Sequence, residues 1–304
     1  VRVAAIDCGT NTIKLLIGDL HAGGESDVVV REMRMVRLGQ GVDATGRLTD
    51  EALERTFAAI DEYAVLIASH DIDRIRFCAT SASRDAENAD VFVAGVRARL
   101  GVEPEVVSGD EEAALAFDGA VRNLRHPPAE PVLVLDIGGG STELVLGSTA
   151  TGPSAAVSLD IGSVRLHERY LHTDPPTADE VAACVDDIDR RLDQAAVRIG
   201  DAATVVGVAG TVTSVGAGVL DLAAYDRSLV DQAEIALDDV HALVVRLLAM
   251  TTAERLALPW LHPGRADVIG AGALILSRTL RRSSVERLVV SEADILDGIA
   301  WSLI

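Results

Sequence analysis

Two stretches of this chain carry residues suited to handling phosphate. The first is Asp7-Cys-Gly-Thr-Asn-Thr12 and the second is Asp136-Ile-Gly-Gly-Gly-Ser-Thr-Glu143. Both belong to one design that occurs twice, over 7–18 and 136–147: Asp-x-Gly, small hydroxyl residues, an apolar triplet and Gly. An aspartate beside a Gly/Ser/Thr turn offers hard oxygen to a cation, and N–H and hydroxyl groups to phosphate. Gly9, Thr10 and Asn11 are the candidates in the first copy, and Gly138, Gly139, Gly140, Ser141 and Thr142 in the second. The three glycines let backbone N–H groups approach a ligand with no Cβ in the way. Asp7, Asp136 and Glu143 together would make an oxygen site suited to Mg²⁺, held largely through water. Taken singly, the first turn reads better as an Asx hairpin without a ligand, and Glu143 equally as a solvated strand face. The repetition moves the balance toward a pair of turns that clamp phosphate.

Three further segments add candidates. In Ser108-Gly-Asp-Glu111-Glu112, Ser108 and Glu111 are spaced as a capping box, which gives Glu111 a structural task. Glu112 is left over near the positive end of a helix, where the dipole should keep it ionised at neutral pH. An ionised carboxylate there could position and deprotonate a water, although a solvated first-turn Glu is the commoner fate. Arg84, in the run from Thr80 to Asn88, reads either as a phosphate ligand or as an exposed loop residue. Gly210-Thr211, after a strand and before a helix, could present N–H groups to an anion; alone it is weak evidence.

The elements that must position these residues alternate between strand and helix. Apolar runs Val3–Ile6 and Val132–Leu135 lead into the two turns, so each copy reads as strand, polar turn, strand. Leu53, Phe57, Ile60, Ala64 and Ile67 form a helical stripe behind Thr49, a plausible N-cap. Short strands are expected at 75–79, 105–107, 205–209 and 287–290. Helices are expected at 88–100, 109–124, 177–199, 213–221, 238–250, 265–282 and from Ser291 to Trp301, the one from Thr177 opened by the capping box Thr177-x-x-Glu180. The stretch His126-Pro-Pro-Ala-Glu-Pro131 breaks periodicity and is the best linker. Two similarly built halves argue for an α/β protein with a duplicated domain, divided as 1–125 and 126–304, with a final helix at about 292–304 packing back on the first half. The site would lie in the interdomain cleft.

Composition narrows the partners. With 47 acidic residues against 27 basic, the net charge is −20, which repels nucleic acid, and no basic run interrupts it. Lys14 is the only lysine. The three cysteines, Cys8, Cys78 and Cys184, form no metal or disulfide pattern and fit a reducing cytoplasm. Residues 1–6 run directly into Asp7 without a signal-peptide pattern, and no apolar run is long enough to cross a membrane. The histidines lack metalloprotease spacing, and neither a serine elbow nor a Walker A motif is present.

Taken in order, these pieces resemble the exopolyphosphatase/guanosine pentaphosphate phosphohydrolase (Ppx/GppA) family. They are the first turn, Val36-Arg-Leu-Gly39, Ala79-Thr-Ser-Ala-x-Arg84, Ser108-Gly-x-Glu-Glu-Ala113, the second turn and Gly210-Thr211. The resemblance implies two actin-like (ribonuclease H-like) domains of the ATPase superfold. It also implies Mg²⁺-dependent (or Mn²⁺-dependent) hydrolysis of a terminal phosphoanhydride in a cytoplasmic homodimer. In that frame Glu112 activates water, Asp7, Asp136 and Glu143 organise the metal, Arg84 neutralises the transferred phosphoryl, and the two turns hold phosphate oxygens. Longer family members carry a further C-terminal helical region that this sequence lacks, which leans the expectation toward short inorganic polyphosphate as substrate. Guanosine pentaphosphate is the alternative substrate. An actin-like small-molecule kinase and a non-catalytic nucleotide-binding scaffold are the alternatives of another class.

Overall fold

The computed structural model describes residues 1–304, which divide into two compact units: Val1–Arg122 with Ile295–Ile304, and Asn123–Asp294. The division thus falls after Arg122, three residues before the expected boundary. The last segment, Ile295–Ile304, belongs with the first unit.

In the first unit, β1 (Arg2–Cys8), β2 (Thr12–Leu20) and β3 (Ser26–Met35) form an antiparallel meander. The chain continues through α1 (Val42–Thr45), α2 (Asp50–Ala68), β4 (Arg74–Ala79), α3 (Ser81–Asp85), α4 (Ala89–Leu100), β5 (Glu105–Val106) and α5 (Gly109–Arg122). The sheet order is β3-β2-β1-β4-β5, with β4 parallel to β1 and β5 parallel to β4. Parallel neighbours need long crossovers, and the helices supply them. Alternation along β1 splits the core. Ala4, Ile6 and Cys8 pack with α2 and α4, while Val3 and Ala5 pack with Leu115 and Ala116 of α5.

The second unit repeats the plan. β6 (Val132–Ile137), β7 (Thr142–Ser148) and β8 (Gly152–Leu159) form the meander. Then come α6 (Ser163–Tyr170), α7 (Ala178–Gln194), β9 (Thr204–Val208), α8 (Ala209–Val219), α9 (Arg227–Val230), β10 (Glu234–Ala236), α10 (Leu237–Ala249), α11 (Thr252–Leu256), α12 (Ile269–Leu280) and β11 (Arg287–Val290). The order β10-β11-β9-β6-β7-β8 places β9 parallel to β6 and β11 parallel to β9. Both units are α/β cores built on one plan, a three-stranded antiparallel meander extended by parallel strands. The last helix, α13 (Ile295–Trp301), joins the first unit: Ile295, Leu296, Ile299 and Ala300 bury beside Leu115 and Ala116. No helix is long and apolar enough to cross a membrane.

Local capping is mostly as expected. Thr49 Oγ1 accepts the Ala52 N–H at the start of α2, and Thr177 with Glu180 forms a complete capping box on α7. The box at α5 is only half made. Ser108 Oγ accepts the Glu111 N–H at 3.2 Å, but the Glu111 carboxylate pairs with Arg76 at 2.6 Å instead of reaching back. The guanidinium offers the carboxylate a full opposite charge as well as a donor, which a backbone N–H does not. β3 stops at Met35, because the N–H groups of Val36, Arg37 and Gly39 turn to bond the carbonyls of the first turn.

Candidate functional site

The two turns are closed alike. Gly9 N–H donates to Thr12 O at 2.9 Å, and Gly138 N–H donates to Ser141 O at 3.0 Å. In both, the turn's carbonyls are tied down from behind. Val36 and Arg37 N–H both donate to Asn11 O, and Gly39 N–H to Thr10 O. In the second unit Ser163 N–H holds Gly138 O, Val164 and Arg165 N–H hold Gly139 O, and Arg165 Nε holds Gly140 O at 2.7 Å. A trans peptide points its N–H opposite its C=O. The N–H groups of Gly139, Gly140 and Ser141 therefore face away from α6 as a set of three aligned donors, the arrangement that binds anions. Gly162 makes the close approach possible: a Cβ there would lie 2.4 Å from the Gly139 carbonyl.

Side chains divide less evenly. Thr10 Oγ1 shares a hydrogen bond with Ser81 Oγ at 2.8 Å. The Thr142 hydroxyl, expected to face phosphate, donates inward to Ile161 O at 2.6 Å and is fully buried. Thr142 thus braces the loop, because a hydroxyl on the first residue of β7 sits beside the chain returning from β8. Gly210 opens α8 beneath Arg265, whose guanidinium would lie 2.3–2.7 Å from a Cβ at that position and whose Nη1 donates to Ser214 Oγ. Thr211 is buried, with Gly272 against its hydroxyl.

Glu112 differs most from expectation. It is buried at 7% exposure, and burial pushes its carboxyl up to about 7. The Arg84 guanidinium opposes the rise, Asp7 adds to it, and the Thr80 hydroxyl again lowers it. Desolvation therefore outweighs the helix dipole, and near neutral pH the group is poised between its two forms rather than fully ionised. Arg84 lies against it: Nη1 donates to Glu112 Oε2 at 3.0 Å and to Val107 O at 2.9 Å.

Lys14 was missed by sequence reasoning. Register pairs Asp7 with Lys14 across β1 and β2, and Asp136 with Glu143 across β6 and β7. Lys14 Nζ lies 3.2 Å from Asp7 Oδ2. The signal was available, because Lys14 and Glu143 each stand seventh after their aspartate in the repeated design. Arg165 and Arg265 were also missed. Nothing near them in sequence marks their distant partners.

For a divalent cation, the donor chemistry fits best in the second unit. Asp136 and Glu143 are buried cross-strand partners, so they share one face of the sheet, and Ser158 Oγ orients Glu143 at 2.7 Å. Asp7 carries the Lys14 charge already. No group of three potential ligands comes together. A cation would complete its shell with water and phosphate oxygens, the habit of Mg²⁺. The buried Oδ1 of Asn11 finds no donor in the protein, which fits a donor arriving with ligand or water.

Comparison with known proteins places these features. The Ppx/GppA phosphatase family matches residues 17–304. Exopolyphosphatase 2 of Mycobacterium tuberculosis is 49% identical over 99% of this chain and 98% of its own length. Among solved structures, an exopolyphosphatase-like protein superposes with a TM-score of 0.96 at 44% identity, covering 100% of this chain and 97% of the other. A Ppx/GppA enzyme of Aquifex aeolicus superposes with a TM-score of 0.84 at 31% identity, covering 99% of both chains.

Proposed function

The chain belongs to the Ppx/GppA phosphatase family, and on that footing we propose that it is an exopolyphosphatase. It releases terminal orthophosphate from inorganic polyphosphate by attack of water. The observation that carries the reading is Glu112, buried with Arg84 on one of its oxygens, where desolvation pushes its carboxyl up to about 7. A general base works best when its pKa lies near the operating pH. A passive scaffold with the same turns would have no use for such a group, and a kinase would need an acceptor hydroxyl in place of water.

In this reading Glu112 takes the proton from water as the oxygen attacks the terminal phosphorus. The bond from that phosphorus to the bridging oxygen breaks, giving orthophosphate and a chain one phosphate shorter. Gly138, Gly139, Gly140 and Ser141, with Gly9, Thr10 and Asn11, bind phosphate oxygens through backbone N–H and short polar groups. Gly210 and Thr211 at the start of α8 are proposed to contact the substrate's phosphates as well, beneath the Arg265 charge. A divalent cation, Mg²⁺ or Mn²⁺, held by Asp136 and Glu143, would neutralise charge on the phosphoryl group. Positioning and neutralisation are the main work of phosphoryl-transfer catalysts.

The test is phosphate release from polyphosphate by the parent and by Glu112→Gln. The variant is expected to lose roughly 10²–10⁴-fold in turnover while still binding the chain. Unchanged release by the variant would remove Glu112 from the mechanism. Release from guanosine pentaphosphate but not from polyphosphate would replace the substrate.

A further inference from the structure

Arg84 lies against Glu112 with part of its guanidinium uncommitted. A guanidinium carries five N–H donors in a fixed planar fork. Nη1 uses both of its hydrogens, one on Val107 O at 2.9 Å and one on Glu112 Oε2 at 3.0 Å. Nε and Nη2, the side-on edge that forms paired bonds with carboxylates and phosphates, carry no hydrogen bond within the protein, and 26% of the side chain is exposed. The N-terminal end of the short helix that carries Arg84 is tied to β1. Thr80 N–H bonds Cys8 O at 3.1 Å, and Arg84 N–H bonds Thr80 O at 3.1 Å. Thr80 also abuts the first turn, since a Cβ on Gly9 would lie 3.7 Å from its hydroxyl.

We propose that Arg84 bridges Glu112 and a substrate phosphoryl oxygen, holding the base with Nη1 and the phosphate with the Nε/Nη2 edge. This rests on the hydrolase reading above and adds a positioning role to a residue otherwise assigned only to charge neutralisation. One rigid plane then sets the separation of base and phosphorus, so the water between them is aligned when the phosphate seats. The Val107 carbonyl keeps the guanidinium from swinging fully onto either partner.

The charged groups that face Glu112 are Arg84 from α3 and Asp7 from β1, while Glu111 of its own helix turns away to Arg76. Two measurements on Arg84→Met separate the two arms: binding of inorganic phosphate by calorimetry, and the acid limb of the kcat/KM profile for phosphate release. Both are expected to move. Phosphate affinity should fall about 10-fold or more, and the acid limb should shift to higher pH by ~1 pH unit, since a cation that favours the carboxylate is gone. Arg84→Lys keeps the charge without the fork and should restore at most one of the two. It also serves if the methionine variant fails to fold. Loss of phosphate affinity with an unmoved acid limb would reduce Arg84 to a phosphate ligand and overturn the bridge. A moved limb with unchanged affinity would reduce it to a clamp on Glu112 and overturn it equally. If the parent releases no orthophosphate from polyphosphate, the hydrolase reading falls and the bridge with it. If the parent turns over and only one readout moves, the bridge alone falls.

Discussion

A carboxyl that titrates near neutrality acts as a base only in its deprotonated fraction, so with Glu112 as the proposed base its burial would set the pH range of the reaction. With its carboxyl raised to about 7, kcat/KM for phosphate release should climb through pH 6 to 8 rather than level off near pH 5. A profile already flat at pH 5.5 would show that another group is the base. The same burial affects stability with a definite sign. A carboxyl whose pKa is higher folded than unfolded stabilises the fold fully below the unfolded value, and that contribution is lost as pH rises through the folded value. Glu112→Gln stays neutral throughout. In thermal melts the variant should match the parent near pH 4 and melt higher at pH 8. Arg84 would then lack its carboxylate partner, but its partly exposed side chain can hydrate. Sequence spacing singled out Glu112 yet suggested a solvated group in the dipole's field. The groups that surround its carboxyl, Arg84, Thr80 and Asp7, are distant in sequence, and periodicity does not locate them.

At the scale of elements, the first turn of α5 holds Glu112 in place, and α13 holds α5. Leu115 and Ala116 pack under Ile295, Leu296, Ile299 and Ala300. The two helices approach closely at Gly298, where a Cβ would lie 1.9 Å from Leu115 O. Backbone is on both sides of that contact, so no side chain can yield. Gly298→Ala is expected to cost about 1–3 kcal/mol through overpacking, measured by denaturant unfolding, and to lower turnover by displacing α5. A variant as stable and active as the parent would show that α13 does not brace the base. Local signals were legible in the sequence. Thr49 and Thr177 cap as their spacing implies, because a cap depends on neighbours three residues away. Long-range choices were not. Glu111 left its box for Arg76, and Thr142 turned inward to Ile161, each for a partner that only the folded sheet brings near.

Across the whole molecule, duplication was the strongest signal, and it extends further than composition shows. The two hairpins share their closing bond, their tied carbonyls and their cross-strand pair, but the pair is Asp7 with Lys14 in one unit and Asp136 with Glu143 in the other. The charge reversal gives one turn a fixed cation and the other a pair of carboxylates. Polyphosphate carries about one negative charge per phosphate, and this chain has a net charge of −20. Buried Asp136 and Glu143 would repel a phosphate placed near them unless a cation intervenes. Dialysis against a chelator is therefore expected to abolish phosphate release, with recovery on adding Mg²⁺ or Mn²⁺. The fold should survive, because no three-ligand cluster ties elements together, so circular dichroism and the melting temperature should change little. Release that persists after chelation would show that arginines and backbone N–H groups alone neutralise the substrate. Unfolding on chelation would show that the cation is structural.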